Sequence, residues 1–218
     1  MRPYLSLLIA SLTLTLSAQR ATDFVPELEV GFGVGGWFTE FEFPDALDLE
    51  QEQLYGTNFG LTLRYFDRKS VGFMAELNYD QAGWVETQDS MAESYERSID
   101  FLTTQLFTQL SFGRGFIRPV IQGGCFVSLP VADREDMTDG FIIPSDDPSY
   151  YGQEYSGRIS YGLVFGAGVY LNFGKISVLL EGRVLAGFSE LFRPGDTQAE
   201  TSRRRSEGFR VTGLYQIK

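Results

Sequence analysis

The sequence predicts an all-β protein, an eight-stranded antiparallel up-and-down transmembrane β-barrel. Three observations lead to this fold class: apolar residues alternate with small or polar ones, the alternating segments are long, and the connections between them are short and long in turn. Because successive side chains of a strand point to opposite faces, period two gives each segment one apolar face. No segment of the 218 residues shows a convincing helical period.

The N-terminus is predicted to be a secretory signal peptide and not part of the fold. Arg2 precedes an uncharged, mostly apolar run from residue 4 to residue 16, and small residues follow up to a predicted cleavage after Ala18. The run is shorter than the about 20 residues that a transmembrane helix needs. The chain is therefore divided into a signal peptide, 1–18, and an outer-membrane β-barrel domain, 19–218.

Eight segments of the remaining chain are predicted to be strands. In one of them, the apolar Leu61 and Leu63 flank the polar Thr62. The predicted strands are 27–38, 55–66, 71–84, 95–112, 116–129, 155–173, 175–188 and 205–218. Strands of soluble proteins average about five or six residues, whereas transmembrane strands need about nine to eleven, so the lengths favour a membrane barrel.

The connections alternate strictly in length. The short ones lie at 67–70, 113–115 and 174–175, and the long ones at 39–54, 85–94, 130–154 and 189–204. Outer-membrane barrels have short periplasmic turns and longer outer loops. We therefore expect a protein of the cell outer membrane, with an even number of strands and both termini in the periplasm.

The polar face of the strands mixes glycine with charged residues. An eight-stranded barrel has just enough room inside for side chains, so glycines leave space for long arginines, and paired charges satisfy each other there. The predicted structural charge network of the lumen is Arg64, Glu76, Arg118, Arg158, Glu181, Arg183 and Arg210. The main alternative is a soluble lipocalin-like barrel, which would turn its apolar face inward to bind an apolar ligand.

Aromatic residues gather near the predicted strand ends, as in the girdles at the two membrane interfaces. They are Trp37, Phe38, Tyr65, Phe66, Trp84, Phe112, Phe116, Phe173, Phe188 and Phe192.

The single cysteine, Cys125, falls on the lipid-facing side of its strand, where a thiol packs without reacting.

The sequence does not indicate an enzyme. It contains no histidine, the usual base of hydrolase sites, and the carboxylates Glu76, Asp80 and Glu181 are expected to pair with arginines. Gly31, Gly33 and Gly36 match a dinucleotide-binding pattern, but the match lies within a strand and no helix follows. No catalytic residue, metal or cofactor is predicted, and a filled eight-stranded barrel is not a porin.

Four segments resemble the PorT-type outer-membrane β-barrel family of the Bacteroidota, a group of barrels similar to OmpA and OmpX. They are GFMAELNYDQAGW (72–84), IDFLTTQLF (99–107), RPVIQGGCFVS (118–128) and YGLVFGAGVYL (161–171). The resemblance spans most of residues 28–192. It implies an eight-stranded outer-membrane barrel, and the named member of the family works in type IX secretion. A part in a secretion or transport machine is therefore one alternative for this chain.

The long connections are predicted to carry the contacts with partners. The first and third are rich in carboxylates, read as solvated acidic loops in preference to a Ca²⁺ site because no EF-hand spacing is present. Arg203, Arg204 and Arg205 are expected to contact lipid head groups or the acidic loops. With a net charge of −11, nucleic acid is not an expected partner. Outer-membrane lipid and other envelope proteins are, and the barrel is expected to be monomeric.

Overall fold

The computed structural model describes residues 25–42, 50–68, 70–87, 94–113, 115–143, 151–152, 159–190 and 202–217. The predicted signal peptide lies outside these residues. The strands are β1 (Glu27–Glu42), β2 (Glu50–Phe66), β3 (Val71–Thr87), β4 (Ser94–Ser111), β5 (Ile117–Met137), β6 (Ser160–Phe173), β7 (Ile176–Glu190) and β8 (Arg203–Gln216).

The eight strands form one closed antiparallel barrel in chain order, and this confirms the predicted fold class. Each strand pairs with the next, and β8 closes the barrel by pairing with β1 from Glu29↔Gln216 to Glu42↔Arg203. Closure leaves no sheet edge along this seam, so the backbone groups of both strands are satisfied within the barrel. The described residues contain no helix that is long and apolar enough to cross a membrane.

The two ends of the barrel differ in the length of their connections. We call the end with the connections 67–70, 112–116 and 174–175 the short-turn end, and the opposite end the long-loop end. Several strands run farther toward the long-loop end than the sequence predicts. β5 continues to Met137 instead of ending at residue 129, because β4 goes on pairing with it as far as Tyr95↔Met137. Asp133, Glu135 and Asp136, predicted to lie in a loop, are therefore strand residues. Hydrogen bonding continues there without the apolar alternation on which the prediction relied.

The outward face of the barrel carries an apolar band. On β4 the band runs from Leu102 to Leu110, a span of nine residues, which suits a tilted transmembrane strand. At its long-loop edge lie the outward-facing aromatics Phe38, Tyr55, Tyr79, Tyr161, Phe188 and Phe209, and at its short-turn edge Tyr65, Phe112, Phe116, Phe173 and Tyr215. These two girdles mark the membrane boundaries.

Three aromatics assigned to the girdles from the sequence point into the barrel instead. Trp37, Phe66 and Trp84 are all at most 2% exposed. They lie near strand ends, but the parity of the strand places each of them on the lumen face. The face that a side chain occupies is thus decided by period two and not by its depth along the strand. Phe192 lies outside the described residues.

The soluble, lipocalin-like alternative is wrong. It requires the apolar face to line the interior, whereas Phe32 and Leu61 face outward with 51% and 63% of their surface exposed, and Arg64 is buried inside. A continuous apolar exterior around a charged interior is the arrangement of a membrane barrel.

Cys125 gives a direct test of the band. It faces outward between Leu106 and Leu163, near the middle of the band. We predict that a nitroxide attached to Cys125 in lipid bilayers collides with oxygen far more often than with a water-soluble nickel chelate, as measured by power-saturation spectroscopy. The control is Asp136→Cys with Cys125→Ser, which should show the reverse preference. A nickel-accessible label at Cys125 would contradict the membrane assignment.

Candidate functional site

The centre of the barrel is occupied by an ion-pair network built on Arg183 of β7. Its Nη1 donates to Glu76 Oε2 at 2.7 Å and to Gln105 Oε1 at 2.9 Å, and its Nη2 donates to Glu181 Oε1 at 2.5 Å. All three charged side chains are buried. One guanidinium therefore links strands β3, β4 and β7 across the lumen, and its fork of donors suits the two carboxylates.

A second arginine extends this network toward β2. Arg210 of β8 donates to Asn78 Oδ1 at 2.9 Å and to Asn58, and its Nε lies 3.7 Å from Glu76 Oε1. Asn58 in turn donates to the buried Asp80. Amide side chains thus connect a guanidinium and a carboxylate that do not bond directly.

Gly33 shows why glycine lines this face. A Cβ atom placed on Gly33 would lie 2.6 Å from Arg210 Nε and 2.6 Å from Thr212 Oγ1, closer than van der Waals contact allows. The dinucleotide-like glycine spacing of β1 therefore gives Arg210 room to cross the lumen. Gly36 belongs to the outward face, where the ring of Tyr55 lies over it.

A chain of hydrogen bonds leads from the centre toward the short-turn end. Gln122 donates to Glu181 at 2.5 Å, Gln109 donates to Gln122 at 2.6 Å, and the hydroxyl of Tyr170 donates to Gln109 at 3.2 Å. These four interior side chains thus bond one another from four different strands, β4, β5, β6 and β7.

The short-turn end is closed by Arg64. Its guanidinium lies between the rings of Phe66 and Tyr170, at 4.1 and 3.7 Å from their centroids, and donates to Glu29 at 2.5 Å. Stacking between two rings and an ion pair compensate the desolvated charge. Arg118 lies farther out, where its Nη1 is 3.8 Å from Glu27.

The long-loop end is closed by an aromatic cluster that includes residues of the third loop. The cluster comprises Phe41, Ala82, Trp84, Tyr95, Ile99, Phe101 and Phe141, with Tyr151 packed against it. Glu86 accepts hydrogen bonds from Trp84 Nε1 at 2.8 Å and from the Tyr151 hydroxyl at 2.6 Å. Phe141 and Tyr151, the described aromatic residues of the third loop, therefore pack into the mouth of the barrel.

Sequence reasoning missed two interior charges at this end, Arg97 and Glu86. Arg97 binds Asp133 at 2.5 Å and Glu135 at 2.7 Å. The parity of β4 could have revealed Arg97, since it shares a face with the buried Ile99 and Phe101. Its two partners could not have been found in this way, because they were assigned to a loop.

The structure places six predicted network residues on the lumen side: Arg64, Glu76, Arg118, Glu181, Arg183 and Arg210. The seventh, Arg158, lies outside the described residues.

Strand parity places the three consecutive arginines, 203–205, on two different faces of β8. Arg203 and Arg205 face outward, whereas Arg204 is 2% exposed, donates to Ser206 at 3.1 Å and lies over Phe101. The expected head-group contact is therefore wrong for Arg204.

The central carboxylates of the lumen are paired with arginine. Glu76 and Glu181 share the Arg183 guanidinium, which donates hydrogen bonds to an oxygen of each carboxyl group. Within the described ranges, no group of three or more Asp, Glu, Cys or His side chains is arranged to hold a metal ion.

Replacing Arg183 tests how strongly the network holds the barrel together. Arg183→Leu leaves two buried carboxylates without their guanidinium, and we expect the free energy of unfolding to fall by about 3–5 kcal/mol. The measurement is urea unfolding in lipid vesicles, followed by tryptophan fluorescence. The control is Arg205→Leu, at an exposed outward position, with an expected change within about 0.5 kcal/mol. Equal effects of the two changes would contradict the role of the network.

Comparison with known proteins identifies the family. Residues 17–193 match the family model described as outer membrane protein beta-barrel domain. No curated protein matches the chain. The outer-membrane protein OprG of Pseudomonas aeruginosa is similar in structure, with a TM-score of 0.50 and 11% identity over 88% of this chain and 96% of that chain. At this identity the likeness shows the fold alone.

Two further solved structures are similar over most of their length. Outer membrane protein W of E. coli is 15% identical over 90% of this chain and 100% of that chain, with a TM-score of 0.45. Ail of Yersinia pestis, solved in complex with the heparin analogue sucrose octasulfate, is 12% identical over 88% and 99%, with a TM-score of 0.46. Since the family model covers most of the chain, the protein belongs to the outer-membrane β-barrel protein family.

Proposed function

We propose that this protein is a non-conducting outer-membrane barrel that binds a partner or ligand at its long-loop end. The observation that carries the proposal is the filled interior: Arg183 joins Glu76 and Glu181 across the centre, and an aromatic cluster closes the long-loop end. Since eight strands leave room only for side chains, such an interior stabilises the barrel and leaves no aqueous path among the residues that the structure describes. Binding then falls to the surfaces outside the membrane.

The surface best suited to binding is the part of β3–β5 that rises above the apolar band, which we call the extension (residues 83–87, 94–98 and 133–137). On its outward side Glu96 lies directly opposite Asp136, a pairing of like charges that destabilises the sheet by itself. A partner that presents basic groups would relieve this repulsion. The extension therefore favours a cationic partner.

The orientation of the barrel in the membrane follows from the difference between its two ends. The strands stop close to the apolar band at the short-turn end but continue beyond it at the long-loop end, with charged outward-facing residues such as Glu40 and Glu207. Long outer loops and short periplasmic turns are the rule in outer-membrane barrels. We therefore assign the long-loop end to the cell exterior and both termini to the periplasm.

We assign the chain no catalytic role.

Conductance in planar lipid bilayers tests the filled interior. We expect the purified barrel to insert without a steady current of the size given by a trimeric porin measured in the same apparatus, because the lumen is filled by paired charges and rings. A stable open-pore conductance in every insertion would overturn the proposal. Heat-modifiable migration on a gel serves as the control for folding.

A second candidate function, a component of a PorT-like secretion or transport machine, is supported by the sequence resemblance. The two functions place the partner at opposite ends of the barrel. We predict that a photo-crosslinking amino acid at Asp136, in the extension, captures a partner in intact cells, whereas one at Lys175, in a short turn, captures none. Adducts with other envelope proteins at Lys175 alone would favour the secretion machine.

The outward-facing Arg203 and Arg205 are proposed to contact anionic lipid head groups at the outer boundary. The Nε of Arg205 lies 3.9 Å from Glu40, and 68% of the Arg205 side chain is exposed. Replacing both arginines by alanine is expected to weaken lipopolysaccharide binding several-fold in a pull-down assay. The matched control is Arg68→Ala, at an exposed position of the short-turn end. Equal binding by both variants would count against the contact.

A further inference from the structure

The last part of β5 forms a sheet edge above the apolar band. β4 pairs with β5 as far as Tyr95↔Met137, whereas the pairing of β6 with β5 ends at Ser128↔Ser160, where β6 begins. Among the residues that the structure describes, no strand lies beside β5 on the β6 side beyond Ser128. Every residue from 131 to 137 is exposed, as expected of a strand with a neighbour on one side only.

The backbone of this edge alternates in the direction of its hydrogen-bonding groups. The N–H of Thr138 donates to the carbonyl of Ser94 on β4 at 3.1 Å. Since bonded and non-bonded pairs alternate along an antiparallel ladder, Asp136 bonds to β4, whereas Glu135 and Met137 direct their N–H and C=O groups to the opposite side. We call residues 132–137 the β5 edge. It offers donors and acceptors at the spacing that an added strand requires.

Carboxylates lie beside the β5 edge on both faces of the sheet. On the outer face Asp136 lies opposite Glu96. On the inner face Asp133 and Glu135 both bind the guanidinium of Arg97, so two carboxylates share one positive charge. The edge is therefore negative on both faces, and a strand with basic side chains on both of its faces is complementary to it.

The same charges exclude a second copy of this chain as the occupant. Two antiparallel β5 edges would bring Glu135 and Asp136 of one copy against those of the other, and like charges at opposite positions destabilise a sheet. Arg134 does not reverse this balance, because its guanidinium pairs with Asp100 at 2.6 Å. The occupant must therefore bring its own positive charges.

We infer that the β5 edge binds an extended basic segment of a partner protein by strand addition. The segment continues the β3–β4–β5 sheet through main-chain hydrogen bonds to Glu135 and Met137, and its Lys or Arg side chains lie beside the carboxylates on both faces. Pro130, which has no N–H to donate, bounds the site on the membrane side. This inference rests on the cationic partner proposed for the extension and adds the conformation in which that partner binds.

Two peptides of equal charge separate strand addition from charge attraction. The purified protein in phosphocholine nanodiscs is titrated with a fluorescent threonine–lysine peptide, TKKTKKT, and with the same peptide methylated at every backbone nitrogen. Methylation keeps the charges but removes the N–H donors, so we expect the unmethylated peptide to bind about tenfold more tightly in fluorescence anisotropy. Equal binding of the two peptides would overturn strand addition and leave the cationic partner in place. If neither peptide binds, both proposals are wrong.

Hydrogen exchange of single amides, followed by NMR in the same nanodiscs, locates the bound peptide. Without peptide, the amides of Glu135 and Met137 should exchange faster than those of Arg134 and Asp136, which bond to β4. The unmethylated peptide should slow the first two by roughly tenfold and leave the other two unchanged. If Glu135 and Met137 exchange as slowly as Arg134 and Asp136 before any peptide is added, the chain itself covers the edge and the inference is wrong.

Met137 offers a matched pair of variants. Met137→Pro removes one N–H of the β5 edge at a position that does not bond to β4, whereas Met137→Ala keeps that N–H. We expect the peptide to bind about fivefold more weakly to Met137→Pro only, the effect of one lost main-chain hydrogen bond. The same affinity for both variants would contradict strand addition. If Met137→Pro does not fold, as judged by heat-modifiable migration, the exchange rates of the unaltered protein decide.

Discussion

At the centre of the eight-stranded barrel, Arg183 binds the carboxylates of Glu76 and Glu181. The other features of the barrel depend on this arrangement. A membrane barrel must present an apolar exterior, so its charged side chains have to lie inside. There they lose their hydration, and only mutual pairing makes their burial tolerable. Glu76, Glu181 and Arg210 are placed on three strands so that one hydrogen-bonded network satisfies them, and Gly33 leaves the volume that this network needs.

The same constraint explains how the two ends are built. At the short-turn end Arg64 lies between two rings and beside Glu29, so charge and aromatic surface close the lumen together. At the long-loop end the third loop supplies Phe141 and Tyr151 to an aromatic cluster on the inner side of the strands. Beyond the apolar band the outward face meets water, and charged residues appear on both faces of β5. The barrel is thus a filled support that presents an acidic extension.

Most of the fold could be predicted from the sequence because period two is strict within the membrane. The parity of Leu61 and Arg64 assigns them to opposite faces, and the structure agrees. The parity of β3 also places Trp84 on the lumen face, although its position near a strand end is typical of a girdle residue. The individual pairs of the interior could not be predicted, since they depend on barrel closure, which brings Arg183 and Glu76 together from strands far apart in the sequence.

The extension could not be predicted for a different reason. The pairing of β4 and β5 shifts between Asp100 and Phe101, so Pro130 opposes Phe101 while Ala132 opposes Asp100. This irregularity leaves Val131 as an extra residue and reverses the faces that the following residues occupy. Parity counted from Ser128 would have placed Arg134 in the lumen, whereas it lies outside over Asp100. Pro130 marks this irregularity, since proline within a sheet is largely confined to edges, strand starts and bulges, but it does not tell how the strands pair beyond it.

A double-mutant cycle on Glu76 and Arg183 tests the central claim most directly. The cycle uses Glu76→Gln, Arg183→Leu and the combined variant, with free energies of unfolding measured in lipid vesicles, and it compares them with the exposed pair Glu40 and Arg205. We predict a coupling energy of about 2–3 kcal/mol for the buried pair. For the exposed pair the coupling should stay below about 1 kcal/mol. Couplings of the same small size for both pairs would contradict the claim that paired interior charges hold the barrel together.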